Sequence, residues 1–163
     1  MNVHDTSPGR ELAGEIDSQL VILDELHAFL MEIVTDDVPT QGKTKRTGLI
    51  VAGILENYYT AAETILFRIA QEFGNEVDPK RWHSDLLERT STAVPEVRPA
   101  VLRGATRNAL DELRRFRHFK RYYYRVEYDW DKLDFLIKKE NDGHALLRMD
   151  LIEFRSFLME LEA

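Results

Sequence analysis

The sequence contains no cysteine, which excludes a disulfide framework, a thiolate metal site and a cysteine nucleophile, and fits a reducing compartment. Glycine and proline are scarce, at 8 and 5 of 163 residues. They fall between periodic segments rather than inside them, which favours helices over a turn-rich fold. Long apolar runs are missing too. The longest, Leu49 to Leu55, is interrupted by Gly53 and falls far short of the roughly 20 residues that cross a bilayer. Met1 to Arg10 is polar, with no apolar signal core. These absences lead to the expectation of a soluble, cytoplasmic protein with no membrane association.

What is present is enough apolar residue to close a core, 44%, beside 31% charged residues. A chain of 163 residues suits one domain, taken here as 1–163. The net charge of −7 argues against a general attraction to nucleic acid. One window departs from that balance. Arg114, Arg115, Arg117, Lys120, Arg121 and Arg125 place six positive charges and no carboxylate within 114–125, leaving −13 on the rest of the chain.

Periodicity predicts an all-α fold, an antiparallel bundle of about five helices. Leu12, Ile16, Leu20, Leu23, Leu26, Leu30 and Ile33 form one apolar stripe, expected to stop before Asp36, Asp37 and Pro39, with a polar loop from Gln41 to Gly48. Leu49 to about Phe73 is apolar on nearly every side and belongs in the middle of the bundle. Asp78-Pro79 reads as an N-cap and first turn for a short helix through Trp82, Leu86 and Leu87, closed by Pro95 and Pro99. A fourth helix from Thr106 to Val126 turns Leu110, Leu113, Phe116, Tyr123 and Val126 inward. Asn141-Asp142-Gly143 divides the last segment, after which Leu147, Leu151, Phe154, Leu158 and Leu161 form a seam.

Few residues invite chemistry. Gly42-Lys43-Thr44 imitates the end of a phosphate-binding loop, but Asp37 stands at the earlier glycine and no strand precedes it. Asp24 and His27 have the spacing of helical metal ligands, yet no second Glu-x-x-His set accompanies them. They read as making a helix-surface or interhelical hydrogen bond, and His4 and His144 as loop residues; no metal and no cofactor are expected. Glu56 and Glu63 sit in the apolar second helix and require partners, either solvent and tyrosine hydroxyls or the arginines of the fourth helix. On that fourth helix, helical spacing puts Arg114, Arg117, Arg121 and Tyr124 on one stripe, with His118 and Tyr122 on another. Guanidinium groups clamp phosphate, aromatic rings stack on bases and imidazole exchanges protons near neutrality. The set suits RNA binding or cleavage, against the plainer reading of a solvated basic face.

Five segments, Glu56-Asn57-Tyr58-Tyr59-Thr60-Ala61-Ala62-Glu63, Trp82-His83-Ser84-Asp85-Leu86-Leu87, Val97-Arg98-Pro99-Ala100-Val101, Asp111-Glu112-Leu113-Arg114-Arg115-Phe116-Arg117-His118 and Glu127-Tyr128-Asp129, together resemble the HepT-like branch of the HEPN superfamily, over roughly Glu56 to Leu133. The resemblance implies a homodimeric helical ribonuclease toxin that cleaves RNA without a metal. Its partner would be a minimal nucleotidyltransferase antitoxin that transfers AMP to a toxin tyrosine. The family signature, R-x4-H-x-Y, aligns Arg117 with the arginine and Tyr124 with the AMP-accepting tyrosine, but puts Tyr122 where the histidine belongs. A phenol, with an ordinary pKa of about 10, is a poorer base at neutral pH than an imidazole near 6.5. The resemblance therefore leaves two readings: a ribonuclease whose catalytic set is Arg117, Tyr122 and His118, or a catalytically degenerate HEPN protein that binds RNA, nucleotide or a protein partner without cleavage. In either, Arg114, Arg121 and Arg125 would contact RNA and Glu63 would support the site.

Overall fold

The computed structural model describes residues 7–74, 80 and 82–163. Six helical segments account for the architecture: α1 (Pro8–Glu32), α2 (Val38–Gln41), α3 (Lys45–Glu72), α4 (Trp82–Thr90), α5 (Gly104–Arg121) and α6 (Trp130–Leu161). No strand occurs among the described residues, so the fold is the all-α bundle that periodicity predicts. None of the helices is long and apolar enough to cross a membrane. The long helices alternate in direction. Asp17 with Arg155 and Asp24 with Arg148 set α1 antiparallel to α6. Glu15 with Arg68 and Gln19 with the Ala61 carbonyl do the same for α1 and α3, and Glu63 with Arg117 beside Glu56 with Lys120 for α3 and α5. Helix α3 packs on α1, α4, α5 and α6. Its buried residues, among them Val51, Leu55, Tyr58, Tyr59, Leu66 and Ile69, supply the middle of the core, as its all-round apolar sequence requires.

Several expected boundaries move. The first helical stretch does not stop before Asp36. A π-helical turn, Ile33–Asp37, carries it on into α2 and through Pro39. The Val38 N–H reaches back to the Ile33 carbonyl, and the wider turn accommodates a proline that has no N–H to give. The loop shrinks accordingly. Gly42, at φ +84°, turns the chain, and Thr44 caps α3 in a reciprocal hydrogen-bonded box with Thr47. Gly42-Lys43-Thr44 thus serves chain reversal. The Asp78-Pro79 cap lies outside the described residues, and α4 ends at Thr90, before either of the prolines. Between α4 and α5, Arg98 is buried and donates to the carbonyls of Arg89, Thr92 and Pro99, tying the connecting segment together.

Helix α5 ends at Arg121, five residues short of Val126, which is exposed. There the chain must turn back to start α6 at Asp129, whose carboxylate caps the Asp131 N–H at 2.9 Å. Tyr123 secures the reversal: it stacks on Phe119 at 4.9 Å and its hydroxyl donates to the Glu127 carbonyl. Helix α6 is unbroken through Asn141-Asp142-Gly143. Its seam of Leu147, Leu151, Phe154 and Leu158 is buried as predicted, whereas Leu161 is exposed. Gly143 is a point of close helix crossing rather than a break: a Cβ there would lie 2.8 Å from the Ala109 methyl of α5.

Gly143→Ala should therefore destabilise the fold by about 1–3 kcal/mol through overpacking. Gly14→Ala, at an exposed position of α1 where a Cβ meets nothing within 4 Å, should stabilise by about 0.5–1 kcal/mol. Urea unfolding of the two variants checks both signs.

Candidate functional site

The basic helix α5 and the central helix α3 meet through charge. Arg117 follows Phe116 at the edge of the inward face of α5 and is carried into the interior, where the residue is 8% exposed. Its Nη1 donates to Glu63 Oε1 at 2.9 Å and its Nη2 to Glu63 Oε2 at 3.0 Å, a bidentate pair. Thr60 Oγ1 lies 3.3 Å from Nη1, and the guanidinium covers the Tyr59 ring at 4.7 Å. Neither charge would be tolerated there alone; geometry and the extra contacts offset the cost of desolvation. Burial, and then the Glu63 charge, push the Tyr59 hydroxyl well above its ordinary pKa, so it stays a neutral phenol.

A third side chain joins this pair from α4. His83 Nδ1 sits 2.7 Å from Glu63 Oε2, with Arg117 Nη2 at 3.1 Å. The Trp82 ring packs against the imidazole at 3.7 Å between centroids. Leu86 and Leu87 bury the inner face of α4 and fix this position. One carboxylate of α3 thereby holds side chains of both α4 and α5. Outside it, His83, Arg114, Arg117, His118 and Arg121 line a small open notch. Sequence reasoning singled out four of these five and missed His83. Its only signal was its place in the Trp82-His83-Ser84-Asp85 segment, because no periodicity links position 83 to position 117.

The remaining predicted residues lie around the notch or beyond it. His118 is exposed on α5, its ring edge-on to Tyr122 at 5.3 Å. Tyr122 is the C-cap residue of α5 and is 63% exposed. Tyr124 lies past the helix end and is 89% exposed, so the expected single helical stripe from Arg114 to Tyr124 stops at Arg121. The stripe argument assumed three more residues of helix than the chain reversal permits. Four of the six clustered cations have carboxylate partners: Arg114 and Arg115 share Asp111, Arg117 holds Glu63, and Lys120 meets Glu56 at 2.8 Å. Of the two alternatives for Glu56 and Glu63, pairing with cations of α5 is the one realised, Glu63 with the expected arginine and Glu56 with Lys120 instead of an arginine. Arg121 and Arg125 are exposed, and neither makes an ion pair with the described residues.

A second polar cluster lies between α1 and α6. His144, expected in a loop, is buried in the middle of α6 because that helix does not break. Its Nδ1 meets the Tyr58 hydroxyl at 2.8 Å and its Nε2 meets Asp24 at 3.0 Å. His27 Nδ1 engages both oxygens of Glu140, at 2.9 and 3.0 Å. The interhelical hydrogen bond expected of Asp24 and His27 is thus made by each of them. His27, Glu140 and His144 bring potential ligand atoms within 4.8 Å of one another. Yet the two imidazoles are stacked at 4.1 Å and 12°, and near-parallel rings do not aim in-plane lone pairs at one ion. The geometry is that of a closed hydrogen-bond network. Burial raises the Glu140 pKa, partly opposed by His27, and burial, followed by the His27 charge, lowers that of His144 to about 4.

The fold and site together describe a helical bundle with a basic notch anchored by a buried arginine–glutamate pair. A family model described as HepT-like protein matches residues 50–158, and the chain belongs to that family of HEPN-domain proteins. The match is wider than Glu56 to Leu133 and takes in most of α6, which periodicity alone had marked only as amphipathic. No curated protein and no solved structure gives a significant match.

Two outcomes follow from the buried groups. Glu63→Ala should destabilise the fold by about 3–5 kcal/mol, since it leaves Arg117 charged and unpaired, while Glu63→Leu combined with Arg117→Met should recover most of the loss; denaturant unfolding measures this. For His144, the unfolded chain takes up a proton near 6.5 but the folded one only at about 4. Its contribution to stability is complete above pH 6.5 and lost as pH falls towards 4, by at most about 3 kcal/mol. Imidazole NMR shifts should show one histidine that stays neutral to about pH 4.

Proposed function

We propose that the protein is the toxin component of a toxin–antitoxin pair, a metal-independent RNA endonuclease controlled by a nucleotidyltransferase that attaches AMP to Tyr124. The observation that carries this reading is the notch, where two imidazoles and three guanidiniums, the motif arginine among them, surround one opening. Arg114 and Arg121 at its rim, with Arg125 beyond, would hold the RNA phosphates. A 2′-hydroxyl deprotonated there attacks the adjacent phosphorus, and the guanidiniums stabilise the negative charge that develops. The buried Arg117, committed to Glu63, acts from behind this rim.

The exposure of Tyr124 supports its role as acceptor, because a second enzyme can reach the hydroxyl. An AMP group there would bring negative charge close to Arg121 and Arg125 and compete with RNA for them. Exposed Phe119 and Val126 next to the basic face support packing of a second copy, which would double the positive field. Tyr122 in place of the signature histidine favours the second reading, RNA binding without cleavage.

Incubation of the purified protein with RNA in excess EDTA tests these roles. Cleavage supports the endonuclease; RNA bound but left intact supports the second reading. Arg121→Ala should weaken RNA binding and lower the slope of log affinity against log salt by about 0.7, the share of one single-strand phosphate. Mass spectrometry after treatment with the partner nucleotidyltransferase and ATP should place AMP on Tyr124, and modification confined to other residues would refute that assignment.

A further inference from the structure

We propose that His83, rather than Tyr122 or His118, is the general base of the notch, accepting the 2′-hydroxyl proton of RNA on Nε2. This assignment rests on the endonuclease reading and specifies its chemistry. An ionised carboxylate can only accept hydrogen bonds, so the 2.7 Å contact with Glu63 Oε2 requires the hydrogen on Nδ1 of His83. The same oxygen accepts from Arg117 Nη2, which is why the two donors approach each other at 3.1 Å without bonding. With Nδ1 protonated, the lone pair resides on Nε2. The carboxylate that fixes the tautomer also stabilises the imidazolium formed on proton uptake, the arrangement that serves nucleophile activation in catalytic triads.

No other candidate is held this way. Tyr122 follows the end of α5, 63% exposed, with no carboxylate hydrogen-bonded to it among the described residues. His118 is exposed, its described ring partner is Tyr122, and no described carboxylate sets its tautomer. His83 is restrained by its hydrogen bond to Glu63 and by the Trp82 ring, while a third of its side chain stays accessible at the notch. Arg117 is then a positioning residue. It occupies both oxygens of Glu63 and keeps that carboxylate from turning away from His83.

The step balances without a cofactor. The 2′-hydroxyl proton passes to His83 Nε2 and the 2′-oxygen forms a bond to the adjacent phosphorus. The bond from phosphorus to the 5′-oxygen breaks, and that oxygen takes a proton from solvent water. The products are a 2′,3′-cyclic phosphate and a 5′-hydroxyl, and His83 returns its proton to the hydroxide left in solvent.

Single-turnover cleavage of an RNA oligonucleotide in EDTA, across about pH 5 to 8, the range in which imidazole titrates, tests the assignment on wild-type protein and the His83→Ala, His83→Gln, His118→Ala and Glu63→Gln variants. Far-ultraviolet circular dichroism verifies the fold of each. His83→Ala and His83→Gln should lose at least about 100-fold in rate, the low end of general-base contributions, and added imidazole should restore part of the His83→Ala loss. Glu63→Gln should move the acidic limb of the rate profile to lower pH, because an amide stabilises the imidazolium less; a purely structural role would leave that limb in place. Cleavage by folded His83→Ala within threefold of wild type, or a larger loss in His118→Ala than in His83→Ala, overturns the assignment while leaving the endonuclease intact. Wild-type protein that binds RNA but never cleaves it overturns both.

Discussion

The buried pair between Glu63 and Arg117 is the constraint around which the basic end of the molecule is arranged. A carboxylate and a guanidinium that are both nearly inaccessible must satisfy each other, and the bidentate geometry fixes their mutual orientation. That requirement sets the rotation of α5 about its axis. Phe116 then faces the core, Arg114 and Arg121 face the notch, and Lys120 reaches Glu56, about two turns before Glu63 on α3. The spare capacity of the same carboxylate holds His83, which couples the short helix α4 to the arrangement.

The pair also shows how an acidic protein keeps a cationic helix. Six positive charges within twelve positions would repel one another on a bare helix. Asp111, Glu56 and Glu63 compensate four of them. His118, Lys120 and Arg121 in the last turn of α5 interact favourably with the negative end of the helix dipole. Within that window, the positive charge without a described carboxylate partner is thus left at Arg121, which lines the notch, and at Arg125, four residues on, where it attracts an anion over a short range.

The contact between α1 and α6 meets a different demand. Between α1 and α6, the stacked histidines, Glu140, Asp24 and Tyr58 form a network in which the buried polar atoms find one another. Its closure suits a structural element, as does the Gly143 crossing next to it. The notch differs in having polar side chains that remain partly open to solvent on one side and are anchored on the other.

The division between sequence and tertiary structure follows from the range of the interactions. Apolar spacing is a property of single helices, so it identified the buried stripe of α1, the central position of α3, the seam of α6 and the inward residues Leu110, Leu113 and Phe116. Charge in an apolar helix demands a partner, so Glu56 and Glu63 required one, with the arginines of α5 as one of two alternatives. Ends and breaks were misjudged where packing overrules local preference: Pro39 accommodated by a π turn, Gly143 retained for a close crossing, and α5 stopped at Arg121 by the reversal into α6. His83 beside Glu63, and His144 between Asp24 and Tyr58, were invisible for one reason. Their partners are twenty or more residues away, and a meeting between side chains on different helices is fixed by helix rotation and register, which only the packed bundle defines.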